Sequence, residues 1–476
     1  REASSTTRNL SSVLLLKVMQ YPFVVLFVVL VPRLMGAETY GRYALFTSLL
    51  AILVSLTNLG LTEIFGRFVP ELRERGDGVA RLASNLLALK LVVDVCTAAA
   101  AYPVLRLAYG EHLMPEYALL LCAAMLAAGL SSTAFALVFG LNQLGRYAFG
   151  DPLRKALGLG LVLVLFRAYG LPGALLSLLL VEIVLGALYF YWVRREFHRE
   201  HLRVDRAFLT PYLRFGFLFY VAWGLLTIWQ RLGNALIDLL THDSREVALF
   251  DMPNQLFSIT SAFTLVLISA LIPVFTNLLL TGKEAKLIAW SASMAKYTAI
   301  LCTVIFGSFL IAGRELIPIV IGPDFEQMFP NAVLLLLATF PVVFAQLGFV
   351  FSVVYGQPAR YCGALVAAVI SFVAAGLLLV PPFGSRGCAV ATLISSCVLA
   401  GVLIVRFRQQ MAPGLGKGLV AIGLGALFLP ALLLREGVLT NVGLAVVASL
   451  LYGVALFRWR ILDTDEIRGL VRAARG

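Results

Sequence analysis

A chain of 476 residues that is 60% hydrophobic and 13% charged, with mean hydropathy +0.92, is not a soluble globular domain. Soluble domains are roughly half apolar and about a quarter charged. The net charge of +12 would suit nucleic acid, but the Lys and Arg are strung between apolar runs rather than gathered on one domain, so the composition is that of a polytopic membrane protein.

Taken in order, fourteen apolar segments predict an all-α fold with fourteen transmembrane helices. The first, 12–31, can cross a hydrocarbon layer about 30 Å thick and is too long and interrupted for a cleaved signal peptide. It carries Lys17, a charge that inside a membrane implies a polar interior or a wet cavity. After a polar turn come 43–62, then 84–105 with Lys90 and Asp94, and then 116–139. Arg154 and Lys155 lie in 147–167, and Glu182 in 171–193. The basic loop 194–206 (RREFHREHLRVDR) reads as an amphipathic surface helix facing anionic lipid, with Trp192 as an interfacial anchor. Further segments run 213–239 (Arg231, Asp238), 247–274 (Asp251), 290–312 (Lys296), 331–354, 361–381 and 385–406. Residues 407–418 read as a Pro/Gly linker before two final spans, 417–435 and 439–458.

With this topology about 26 Lys and Arg fall on the side of the termini and about 8 on the other, which places both termini in the cytoplasm. The six cysteines (Cys96, Cys122, Cys302, Cys362, Cys388, Cys397) lie in or at the ends of apolar spans without CxxC spacing, so neither a disulfide framework nor a zinc site is expected. His198 and His201 lack a third ligand nearby. No metal and no cofactor are expected, and GxxxxGK[ST] is missing, which speaks against ATP hydrolysis.

The chain also repeats itself. Tyr43-Ala44-Leu45-Phe46 and Val247-Ala248-Leu249-Phe250 share Ala-Leu-Phe at an offset of 204. At an offset of 214, Gly145-Arg146-Tyr147 matches Ala359-Arg360-Tyr361, Gly170-x-x-Gly173-Ala174 matches Gly384-x-x-Gly387-Cys388, and Val193-Arg194 matches Phe407-Arg408. Two copies of a six-span unit related by a pseudo-twofold axis along the membrane normal are expected, the plan of an alternating-access transporter. The expected domains are a lobe at 1–206, a second at 207–410, and an appendage at 411–476.

The turn Val31-Pro32-Arg33-Leu34-Met35-Gly36-Ala37-Glu38-Thr39-Tyr40-Gly41-Arg42-Tyr43-Ala44 resembles the bacterial polysaccharide flippase family. That family belongs to the multidrug/oligosaccharidyl-lipid/polysaccharide exporter superfamily, with the lipid II flippases and the multidrug extruders. Asn58-Leu59-Gly60-Leu61 with Arg67-Phe68-Val69-Pro70-Glu71 is similar too, as are Ile321-Gly322-Pro323-Asp324-Phe325 and Tyr355-Gly356-Gln357-Pro358. The resemblance implies an inner-membrane flippase for undecaprenyl-pyrophosphate-linked oligosaccharide, of O-antigen type. It implies a role in cell-envelope polysaccharide biosynthesis, beside the polysaccharide polymerase and chain-length machinery.

Such a cargo needs cations for its diphosphate, Arg bidentately and Lys as a point charge. Candidates are Lys17, Lys90, Arg154, Arg231 and Lys296. Lys90 and Asp94 are four apart on one helix face and are expected to neutralise each other. Arg154 and Lys155 point about 100° apart, so only one is expected in a cavity, and Arg154 is chosen. Lys296 is near enough to the interface to snorkel. Coupling to H⁺ or Na⁺ would use an intramembrane carboxylate, for which Glu182, Asp251 and Asp94 are candidates. The alternative is a cation-coupled multidrug extruder, which would need an anionic cavity. An enzyme is not expected, because the longest outer loop, 313–330, holds Arg314, Glu315, Asp324 and Glu326 but no His.

Overall fold

The computed structural model describes residues 19–75, 78–110, 115–197, 204–269, 271–434, 436–459 and 461. Among them every regular element is helical. Hydrocarbon offers no partner for backbone N–H and C=O groups, and a helix satisfies its own. Eleven of these helices are long and apolar enough to cross a membrane. The chain divides into two compact units, Arg1–Ala248 and Leu249–Gly476.

The first unit contains α1 (Gln20–Leu56), α2 (Leu61–Glu74), α3 (Val79–Tyr109), α4 (Pro115–Gly140), α5 (Leu144–Tyr169), α6 (Leu171–Val193) and α7 (Arg206–Thr241). The helical backbone of α1 breaks at Gly36 (φ 72°, ψ 167°). A straight helix would set Phe27 and Tyr43 about 24 Å apart along its axis. Their ring centroids are 6.4 Å apart, so α1 folds back on itself. Leu61, Ile64, Phe65 and Val69 form the buried stripe of the short, amphipathic α2. The centre of the unit is α4, with 67% of its apolar stretch buried. Its buried face is mostly small (Ala118, Ala124, Ala128, Gly129, Ala134), which lets α2, α3 and α6 approach closely.

The boundary between the units falls within α8 (Ser244–Ser269). The second unit continues with α9 (Ile272–Leu280), α10 (Glu284–Val320), α11 (Phe329–Val354), α12 (Pro358–Arg406), α13 (Arg408–Gly423) and α14 (Val438–Arg458). Its centre is α11, within a stretch that is 72% buried. At 1.5 Å per residue α12 would be about 73 Å long if straight. Instead it breaks at Gly384 (φ 55°, ψ −132°), and Arg406 Nη1 donates to the Arg360 carbonyl at 3.3 Å. The two ends of α12 therefore meet, and it too is a hairpin. The final elements pack on α10 through Ile311, Phe428, Tyr452 and Leu456, and Tyr452 Oη donates to the Ala421 carbonyl at 2.8 Å. Leu439 and Leu433, 90% and 88% exposed, are the kind of surface that hydrocarbon rather than water covers.

Each unit, taken by itself, contains the same turns at the 214-residue offset. Gly170 (φ 63°, ψ −144°) and Gly384 adopt nearly the same left-handed conformation, which glycine alone enters without steric cost. A Cβ on Gly173 would lie 2.1 Å from the Leu165 carbonyl oxygen, and one on Gly387 would lie 2.0 Å from that of Leu379. Gln143 and Gln357 precede α5 and α12, each after a positive-φ residue, Asn142 (57°) and Gly356 (65°). Phe135 meets Tyr147 at 4.6 Å between ring centroids, and Phe349 meets Tyr361 at 4.9 Å.

One sequence expectation changes. Residues 407–418 are not a linker: Arg408–Gly423 is helical despite Pro413, because Gly414 lets it settle against Ala292 and Ala295 of α10. Of the surface helix expected at 194–206, the described residues show a 3-10 turn, Arg194–Glu196, at its start and Arg206 opening α7 at its end. Residues 198–203, with His198 and His201, lie outside the described residues. The cysteines are all free, and no group of three or more His, Cys, Asp or Glu suited to a metal occurs among the described residues.

Candidate functional site

Charge concentrates on α5. Asp151, Arg154 and Lys155 make this helix too polar to count among the eleven apolar spans, although it packs between α1 and α6 as a spanning helix would. Pro152, in its third turn, lacks the N–H that a helix interior would bond. Arg154 pairs through Nη1 with Glu182 Oε1 of α6, and its Nη2 reaches Ser131 Oγ of α4 at 3.5 Å. The Glu182 side chain is nearly enclosed, 9% exposed, whereas the Arg154 side chain remains 35% exposed. Arg154 is therefore tied to Glu182 while part of its side chain stays accessible. Next to it Lys155 is exposed and within electrostatic reach of Arg154, Arg231 and Asp151. Arg231 comes from α7 and is half-buried.

Three helices of the first unit thus bring three cations and two carboxylates into one neighbourhood, with Glu182 already bonded to Arg154. Such a patch can hold an anion of more than one charge, since two of its cations keep no carboxylate within ion-pair distance among the described residues. Of the expected site residues it contains Arg154, Arg231 and Glu182. The sequence favours Arg154 over Lys155, because helical spacing separates the two side chains without saying which helix faces them. Ser131 gave no signal at all: it is one hydroxyl in an apolar run.

The other candidates sit elsewhere. Lys90 and Asp94 are fully buried, Nζ to Oδ1 at 2.5 Å, with Thr57 Oγ1 at 2.7 Å from the ammonium. Gly129 of α4 makes the room, since a Cβ there would lie 2.0 Å from Asp94 Oδ2. This is the mutual neutralisation that the four-residue spacing predicts. Lys296 is 3% exposed, its ammonium 4.7 Å from the centroid of the Tyr297 ring, so it turns inward instead of snorkelling. Asp251, 1% exposed, accepts from Gln255 Nε2 at 2.8 Å. Both belong to the second unit. Lys17 lies outside the described residues.

The sequence profile of a family described as "Polysaccharide biosynthesis protein" matches residues 6–279, more than half of the chain. The chain belongs to that family. No curated protein matches it in sequence. Among solved structures it is similar to the lipid II flippase MurJ in an inward closed conformation, at 12% identity over 96% of this chain and 100% of that one, with a TM-score of 0.70. An inward-facing multidrug resistance MATE family transporter of the MOP superfamily is similar at 18% identity, covering 85% and 98% of the two chains, with a TM-score of 0.64. A MOP superfamily transporter from Pyrococcus furiosus, described by the reverse polarity of its binding pocket, is similar at 17% identity over 85% and 96%, with a TM-score of 0.55. This member of the polysaccharide biosynthesis family is thus a multi-pass membrane protein with the fold of the MOP-superfamily transporters.

Proposed function

We propose that the protein is a flippase that carries undecaprenyl-pyrophosphate-linked oligosaccharide from the cytoplasmic to the periplasmic leaflet by alternating access. The observation that carries this reading is the cationic patch of Arg154, Lys155 and Arg231 in a chain of the polysaccharide biosynthesis family. A pyrophosphate diester has two negative charges and needs matching donors where water is scarce. Arg154, Lys155 and Arg231 would hold the pyrophosphate; Lys17 and Lys296 we keep as separate candidates for contact with the cargo. Lys90 and Asp94 we read as a structural pair, and Asp251 stays a second candidate for ion coupling.

Glu182 is suited to the coupling itself. While ionised it holds Arg154; taking up H⁺ would release that guanidinium to the cargo, and Na⁺ could compete for the same oxygens. Counting α5 with the eleven apolar helices and dividing α1 and α12 at their glycine breaks supports fourteen spans. The shared turns at the 214-residue offset support two homologous lobes with a C-terminal appendage. A multidrug extruder of the same superfamily would instead favour an anionic site for cationic drugs, and the surplus of cations on α5 and α7 speaks against it.

The test is flipping of a fluorescent pyrophosphate-linked oligosaccharide by purified protein in vesicles, with and without pH and sodium gradients. Losing one charge-assisted contact costs about 1.5–3 kcal/mol, so Lys155→Ala and Arg231→Ala should each slow flipping about tenfold or more. Wild-type rates in both variants, or resistance to cationic drugs on overexpression without flipping, would overturn the assignment.

A further inference from the structure

Where α12 ends and α13 begins, the second unit contains an open pocket of about 250 Å³ that the transport reading does not use. We propose that it binds the phosphate of an anionic phospholipid headgroup. Arg360 from the first turn of α12, Arg406 from its last, and Arg408 from the first turn of α13 all line it, and all three are exposed. The hairpin at Gly384 is what gathers them, returning Arg406 to Arg360 after 46 residues. The buried Phe407 forms the floor, and the Arg360 guanidinium rests 5.4 Å from its ring centroid. Gln357, Gln409 and Gln410 add neutral hydrogen-bonding groups.

No carboxylate pairs with these arginines among the described residues. Glu284, which reaches this neighbourhood through Tyr355, already accepts the Tyr355 hydroxyl at 2.5 Å. Three unneutralised guanidinium groups around a concave surface match a phosphodiester, whose oxygens accept in parallel pairs. The outer wall argues for a lipid rather than free phosphate. Val405 lines the pocket yet is 73% exposed, and it lies in the last turn of a spanning hairpin. An apolar side chain left open beside a cationic pocket at the end of a transmembrane helix fits a headgroup whose acyl chains continue along the helix.

The experiment measures lipid retention by native mass spectrometry on the full-length purified protein, titrated with phosphatidylglycerol, phosphatidylethanolamine or inorganic phosphate. The triple variant R360Q/R406Q/R408Q is compared with R42Q/R75Q/R245Q, which removes three exposed arginines elsewhere. R408E alone, a change at an exposed position, covers the case in which the triple variant does not fold. Phosphatidylglycerol should bind wild type and the control variant about tenfold or more tighter than phosphatidylethanolamine, and the pocket variants should lose that preference. Unchanged preference in R360Q/R406Q/R408Q, or in R408E if that alone folds, would overturn the proposal. So would inorganic phosphate displacing the lipid at equal concentration, since the site would then recognise a free anion.

Discussion

At Lys90 the ammonium, the Asp94 carboxylate and the Thr57 hydroxyl are all shut away from solvent, with Gly129 facing them across α4. Removing one member of a buried pair strands the other, which typically costs about 3–5 kcal/mol, while replacing both with apolar groups is often neutral. Lys90→Met should therefore sharply lower the melting temperature in detergent, and Lys90→Met/Asp94→Leu should recover most of it. If the double variant also flips cargo, the pair is structural; if it folds but is inactive, the pair belongs to the transport site. Outside the spans, burial and the Glu284 contact push the Tyr355 hydroxyl from its ordinary value near 10 up to about 12. A pKa raised in the folded state contributes stability that is complete below pH 10 and disappears as pH climbs through 12. Tyr355→Phe should accordingly cost about 1 kcal/mol or less, equally at pH 6 and pH 8, with the gap closing above pH 10. Thermal melts across that range would show it.

Among the elements, the glycine hairpins do most to set the architecture. The spacing Gly-x-x-Gly at 170 and 384 was legible because a left-handed turn and a close backbone approach each demand a missing side chain. The reversal is legible as well: 361–381 and 385–406 read as two spans, and they are the two arms of the 49-residue α12 on either side of its break at Gly384. Gly173→Ala and Gly387→Ala should disturb equivalent turns, because each Cβ would overlap a carbonyl oxygen of the preceding helix. Both should lower folded yield by a similar amount, with about 1–3 kcal/mol of destabilisation each, measured by thermal unfolding. Unequal effects would mean that the two turns are not equivalent parts of a repeat. The Pro/Gly stretch after Arg406 misled, because small residues read as a loop in water but as a packing face beside Ala292 and Ala295.

For the molecule as a whole, the prediction concerns energy supply. If Glu182 gates Arg154, then Glu182→Gln should still flip lipid-linked oligosaccharide but without response to a pH or sodium gradient, as read in vesicles with an imposed gradient. A retained gradient response would move the coupling role to Asp251. By itself the sequence determined that the chain crosses a membrane many times, that its halves share turns, and that Lys90 neutralises Asp94. Those features follow from composition, from fixed spacing, and from a four-residue separation on one helix, all local. Only the tertiary structure decided that Arg154 is bonded to Glu182, that Lys155 joins Arg231, and that three arginines meet beside Phe407. Those partners lie 28, 76 and 46 residues apart on separate helices or the two arms of a hairpin. Their meeting depends on how each helix is rotated against its neighbours, which small-residue packing sets and side-chain periodicity does not record.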